Sequence, residues 1–181
     1  MAGHSEKHLP PILSGFRERT GAWLHKNRDV GYLDRGEGGG PDYFLALCGT
    51  QIEVKNTERD GTLTDGPTEL QRKLLDKHGG YIFLEAFDPG YPPRPGGCDA
   101  YLVPWETYRD WWDDVRVAQK VSLRRNATAR SEGVVNYLAK YLLPWGEGAW
   151  FIPYDHPSHF WWDMLGKLQA VITSMDEMGV N

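Results

Sequence analysis

The chain is short of several things, and each shortage narrows what it does. It has two cysteines in 181 residues, Cys48 and Cys98. Two are too few for a disulfide framework, and a chain of this length buries roughly 70% of its unfolded surface and needs none. No window approaches 18 consecutive apolar residues, so no segment qualifies as a membrane-spanning helix. The opening residues MAGHSEKHLPP hold no apolar stretch of the kind a secretory signal requires. The expectation is a cytoplasmic protein with reduced thiols, in which the sequon Asn126-Ala127-Thr128 carries no glycan. Basic excess is missing too. Lys+Arg number 20 against 25 Asp+Glu, for a net charge of −5 and a pI near 5.7. That excludes a general nucleic-acid coat but not an enzyme with a local basic groove beside acidic metal ligands. The glycine run Gly36-Glu37-Gly38-Gly39-Gly40-Pro41 ends in proline where G-x-G-x-x-G needs its last glycine, so no nucleotide-phosphate loop is indicated.

What is present reads as a globular domain, 40% hydrophobic and 25% charged, with eight Trp and nine Tyr. The length predicts one domain over residues 1–181, with a core of about 9–118 and an aromatic-rich helical extension of about 119–181. Leu9, Ile12, Leu13, Phe16, Thr20, Trp23 and Leu24 recur at helical spacing and predict an amphipathic helix over 9–26. Two apolar runs, 42–48 and 51–56, flank Gly49-Thr50 and predict a β-hairpin. On its second strand Ile52 and Val54 alternate with Glu53 and Lys55. Thr68 and Gln71 form a capping-box pattern ahead of a helix over 69–78, which Gly79-Gly80 closes. Strands follow at 81–87 and about 99–103. Pro104 opens a helix to about 118, and further helices are expected at 132–143 and 158 to about 175, with an aromatic loop over 144–157. The order gives a mixed α/β layer architecture.

The chemistry concentrates on one constellation. Asp42 opens the first hairpin strand, Glu53 and Lys55 sit on the second, and Gln71 lies in the first turn of the next helix. The hairpin brings Asp42 toward Glu53 and Lys55. Adjacent carboxylates repel, and a hard divalent cation such as Mg²⁺ relieves that cost. A lysine beside such a cation orients or activates a water, or neutralises charge on a phosphoryl group. This is equipment for metal-assisted phosphodiester hydrolysis.

These residues resemble the PD-(D/E)XK nuclease superfamily: Gly39-Gly40-Pro41-Asp42, then Glu53-Val54-Lys55, then a helix with Gln71. Within it the chain is similar to Holliday junction resolvases and VRR-NUC-type nucleases, over roughly residues 9–105. The run from Leu70 to Leu84 resembles the helix–glycine–strand segment after the active-site lysine. The resemblance implies a restriction-endonuclease-like mixed β-sheet flanked by helices. It implies Asp42 and Glu53 as ligands of Mg²⁺, for which Mn²⁺ substitutes, with the Val54 carbonyl as a third. Lys55 becomes the catalytic lysine, and Gln71 resembles an auxiliary helix residue, although its capping role suffices on its own. The implied activity is structure-selective DNA endonuclease cleavage, leaving a 5′-phosphate and a 3′-hydroxyl, in the service of DNA repair or recombination. A homodimer is implied, since a four-way junction needs two symmetric cuts. An acidic residue from the first helix is part of the pattern in many resolvases. Glu18 is the candidate here, but it points away from the apolar face, and Glu6 lies upstream.

Other groups admit two readings each. Arg124, Arg125 and Arg130, with Lys120, form the best basic cluster, either a phosphate-contacting loop or a solvated linker. His156 and His159 have a spacing that can bind zinc, but Pro157 intervenes and Ser158 reads as a helix N-cap. Asp99 is a second acid at a strand start or a turn cap. Trp105, Trp111, Trp112, Trp145, Trp150, Trp161 and Trp162 are stacking platforms, or core, or an isologous dimer face. Flap, single-strand and sequence-specific nucleases, a non-catalytic DNA-binding protein of nuclease fold, and a carbohydrate-binding module are the competing functions. The last leaves Asp42 and Glu53-Val54-Lys55 unexplained.

Overall fold

The computed structural model describes residues 24–26, 41–45, 49–56, 66–87, 98–119 and 138–179. In chain order the elements are β1 (Leu24–Lys26), β2 (Tyr43–Leu45), β3 (Thr50–Asn56), α1 (Glu69–His78), β4 (Gly80–Phe87), β5 (Cys98–Pro104) and α2 (Trp105–Gln119). A 3-10 turn (Ala139–Tyr141), the short strands β6 (Trp145–Gly146) and β7 (Ala149–Trp150), and α3 (Phe160–Glu177) follow. The first five strands form one mixed sheet in the order β1-β2-β3-β4-β5. β3 and β4 run parallel, joined through α1, and the other neighbours are antiparallel. The fold is α/β, a mixed sheet with helices on its faces. No helix of the described residues is long and apolar enough to cross a membrane.

The sheet is covered on both sides, and strand composition follows from that. On one face Ile52, Val54, Tyr81, Phe83, Ala100 and Leu102 pack against Leu143, Trp150, Phe160 and Met164 from the C-terminal part. On the other, Ile82, Leu84, Tyr101 and Val103 meet Leu75 of α1 and Trp105, Tyr108, Trp111 and Trp112 of α2. β4 and β5 are buried on both faces, so they read as continuous apolar runs. Each fully buried large apolar side chain contributes about 1.5–3 kcal/mol relative to an exposed one.

Local signals hold where their partners are close in sequence. Around α1 the capping box is complete: Thr68 Oγ1 accepts from the Gln71 amide and Gln71 Oε1 from the Thr68 amide. Gly79 (φ +70°) adopts a conformation that other residues reach only with strain, and its N–H bonds the Leu75 carbonyl. At Gly80 a Cβ would lie 2.2 Å from the Gln51 carbonyl oxygen and 2.6 Å from Leu75 Cδ2, so only glycine lets β4 start against β3 under α1.

Four boundaries differ from expectation. Leu24–Lys26, expected as the end of a helix, is an edge strand paired with β2, so tertiary pairing overrides the helical spacing there. Residues 9–23 lie outside the described residues. Where the helix over 132–143 was expected, residues 132–137 lie outside the described residues, Ala139–Tyr141 form the 3-10 turn, and a bridge pairs Leu142 with Tyr101. The expected aromatic loop contains the β6–β7 hairpin, turned by Glu147 (φ +52°) and Gly148 (φ +80°). α3 starts at Phe160, not Ser158. Its cap position is His159 in the left-handed region, while Ser158 Oγ accepts from the Phe160 amide at 3.3 Å.

Candidate active site

The β2–β3 pairing opposes Tyr43 to Ile52, which brings Asp42 to the Glu53–Val54 peptide. Two hydrogen bonds clasp them. The Val54 N–H donates to Asp42 Oδ2 at 2.8 Å, and the Asp42 N–H donates to Glu53 Oε2 at 3.1 Å. Each acid is thus held by the other's local backbone. Glu53 and Lys55 share the face of β3 that looks toward α1 and α2. That face is covered, and Glu53 is only 2% exposed. The Lys55 ammonium lies 2.8 Å from Glu53 Oε1.

Gln71 completes the arrangement from the first turn of α1. Its Nε2 donates to Glu53 Oε1 at 2.7 Å, and its Oε1 accepts from Lys55 Nζ at 3.4 Å as well as from the Thr68 amide at 2.8 Å. The capping and site roles that the sequence left as alternatives are held by one side chain together. The cap fixes the rotamer, and the fixed rotamer presents the amide to Glu53.

Burial dominates the electrostatics. It pushes the Glu53 carboxyl up to about 7, against the opposing pull of Lys55 and with the help of the Asp42 charge. Burial favours the protonated acid, and a cation that took the proton's place would meet two carboxylates beside one ammonium. Among the described residues no group of three or more His, Cys, Asp or Glu side chains converges to hold a metal. The two acids would need backbone or solvent oxygens beside them, which suits Mg²⁺, an ion that keeps several waters. On that donor chemistry the residues fit the ion.

Sequence reading missed Tyr108. It is fully buried on α2, its hydroxyl has no hydrogen-bond partner among the described residues, and burial, with the Glu53 charge adding to it, raises its pKa well above the usual phenol range. The spacing Trp105, Tyr108, Trp111 and Trp112 marks it as core but gives no sign that it lies within range of an acid. Also missed was the two-bond pair from Arg72 to Asp113, at 2.6 and 3.2 Å, which ties α1 to α2 beside the site.

The other candidates do not join this cluster. Asp99 is buried on the same sheet face but belongs to β5, two strands away, opposite Ala86. His156 is buried with both ring nitrogens engaged, Nδ1 with Ser158 Oγ at 2.7 Å and Nε2 with the Tyr141 carbonyl at 3.1 Å. Burial holds its pKa below the usual imidazole range, and His159 is exposed. The pair therefore serves a turn rather than a zinc ion. Trp105, Trp111, Trp112 and Trp150 are core, which rules them out as stacking platforms, and Trp162 is exposed. Arg124, Arg125, Arg130, Glu18 and Glu6 lie outside the described residues.

Comparison with family models, with curated proteins and with solved structures finds no match for this chain.

Proposed function

We propose that this chain is a Mg²⁺-dependent DNA endonuclease of restriction-endonuclease-like fold. The observation that carries the reading is the convergence of Asp42, Glu53, Lys55 and Gln71 on one sheet face, in the order and on the elements that the PD-(D/E)XK pattern requires. Asp42, Glu53 and the Val54 carbonyl would hold the ion. When bound, Mg²⁺ would withdraw charge from the phosphate and make a bound water more acidic. Lys55 places a positive charge beside Glu53, where it orients the attacking water or offsets charge developing on the phosphate oxygens. Gln71 holds both the Glu53 carboxylate and the Lys55 ammonium, so the acid and the base side of the site keep one geometry. The Glu53 carboxyl, raised to about 7, would give up its proton when a cation is held there.

The test is cleavage of labelled four-way junction and matched linear duplex, with Mg²⁺ or with EDTA, by wild type and Lys55→Ala. Cleavage that is lost in EDTA and in Lys55→Ala supports the enzyme. Paired symmetric cuts confined to the junction would make it resolvase-like, and cuts on every substrate would discard junction selectivity. No Mg²⁺-dependent cleavage by folded wild type would overturn the proposal and favour a binding protein.

A further inference from the structure

Tyr108 is a buried polar group that the four residues of the candidate site leave unused. Among the described residues its hydroxyl has no hydrogen-bond partner, and Trp111 Nε1 next to it, with ring centroids 5.4 Å apart, is orphaned as well. Phe would fill the same space. A hydroxyl kept in a core without a partner is a net cost to the fold, and native cores hold few of them. Unmet donors gathered in one buried layer are where a water is held.

The place of Tyr108 in the fold says what such a water would serve. Glu53 stands opposite Ile82 in the parallel pairing of β3 and β4. Ile82 and Leu84 share one buried cluster with Leu75 of α1 and Tyr108 of α2. Gln71, one turn before Leu75 on α1, donates to Glu53 at 2.7 Å. The Arg72–Asp113 pair ties α2 to α1 at this level, and the Glu53 and Arg72 charges both act on the Tyr108 phenol. Tyr108 thus belongs to the layer over Glu53 without bonding it. Burial, with the Glu53 charge adding to it, keeps the phenol protonated, so its hydroxyl serves as donor and as acceptor.

We propose that Tyr108 is a positioning residue of the cation site, its hydroxyl hydrogen-bonded to a water held beside Glu53 when Asp42 and Glu53 carry a divalent ion. The inference rests on the Mg²⁺ reading of those two acids. Mg²⁺ keeps several of its waters, and in a buried site those waters need partners. A ligating carboxylate is likewise held in place by the groups behind it. Gln71 and Lys55 hold Glu53 from α1 and from β3, and Tyr108 supplies the contact from α2. The hydroxyl touches neither ion nor substrate and acts only through the water. With the ion bound it gains a partner it otherwise lacks, and that bond favours the bound form.

The test is titration of Mg²⁺ alone into the full chain at pH 8, followed by calorimetry, together with melting temperatures in EDTA. No cleavage is read. Tyr108→Phe removes only the hydroxyl. It is expected to bind Mg²⁺ at least about tenfold more weakly than wild type, the usual cost of losing a contact behind a metal ligand. Its melting temperature in EDTA is expected to equal or exceed that of wild type, because the lost hydroxyl had no partner. A merely structural tyrosine gives the reverse, a lower melting temperature with Mg²⁺ affinity unchanged. Tyr141→Phe, which deletes a hydroxyl from another tyrosine of the same cluster, is expected to keep its Mg²⁺ affinity within about twofold of wild type. Unchanged affinity in Tyr108→Phe, an equal loss in Tyr141→Phe, or a lower melting temperature of Tyr108→Phe in EDTA overturns the proposal and leaves Asp42 and Glu53 as the cation site. Wild type that takes up no Mg²⁺ overturns the reading of the two acids, and this inference with it.

Discussion

Gln71 Nε2 lies 2.7 Å from Glu53 Oε1, while the oxygen of the same amide closes the N-terminus of α1 on Thr68. One side chain thus couples helix initiation to the position of a buried acid. Gln71→Ala is expected to lose the cap, about 1 kcal/mol, and in addition one donor to a buried carboxylate, about 1–3 kcal/mol. Thr68→Ala loses only the first. If the coupling is real, a urea titration finds Gln71→Ala clearly the less stable of the two, and its cleavage rate per folded molecule falls at least about tenfold while Thr68→Ala retains most activity.

Glu53 sets a pH dependence of stability with an unusual sign. Its folded pKa, about 7, lies above its ordinary value of 4.5, so between those limits the folded state binds the extra proton. Stability contributed by the protonated group is present at low pH and is lost as pH rises from about 4.5 to 7. The full excursion is on the order of 3 kcal/mol. Glu53→Gln keeps the shape without the charge and is expected to flatten this fall, so that at pH 8 the variant is more stable than wild type and inactive. Denaturation midpoints at pH 5 and pH 8 decide it. A variant less stable than wild type at pH 8 would show that the ionised acid is already compensated.

The two neighbouring acids, Asp42 and Glu53, predict how a divalent cation acts. Mg²⁺ binding only the folded state stabilises by about 2.7 kcal/mol at a hundred times its dissociation constant. Addition of Mg²⁺ at pH 8 is expected to raise the melting temperature of wild type, and EDTA to reverse it. Asp42→Asn and Glu53→Gln remove one ligand each and are expected to abolish the shift. A shift retained in both would locate the ion elsewhere.

The backbone of the site was legible because its determinants are local. Thr68, Gln71 and Gly79 announce α1, and the alternation from Gln51 to Lys55 announces β3 and the shared face of Glu53 and Lys55. What was not legible depends on distant chain. Alternation places Glu53 and Lys55 on one face but does not say what covers it, so the burial of Glu53 and its raised pKa depend on neighbours such as Gln71 and Tyr108 that the strand does not encode. Leu24 has the spacing of a helix but the neighbours of an edge strand. The C-terminal residues read as an appended helical extension because their helical stripes suggest self-contained packing, whereas Leu143, Trp150 and Phe160 are spent on the sheet. His156 and His159 share a ligand spacing that a turn also produces.

His156 carries the last prediction. Its Nε2–H donates to the Tyr141 carbonyl, and Nδ1 faces Ser158, whose amide donates to it at 3.3 Å. The ring therefore fastens the 3-10 turn to the start of α3. Burial lowers its folded pKa below 6.5, so the unfolded chain takes up the proton first as pH falls. This contribution to stability is present above about 6.5 and is lost below it, opposite in direction to that of Glu53. His156→Ala leaves the Tyr141 carbonyl without its ring donor, takes from the Ser158 hydroxyl the ring nitrogen beside it and opens a cavity, a cost of about 2–4 kcal/mol. It is expected to lower the melting temperature and to erase the acid-side loss of stability, while cleavage per folded molecule at low temperature stays within about twofold of wild type. A large loss of cleavage in folded His156→Ala would give this turn a place in the site.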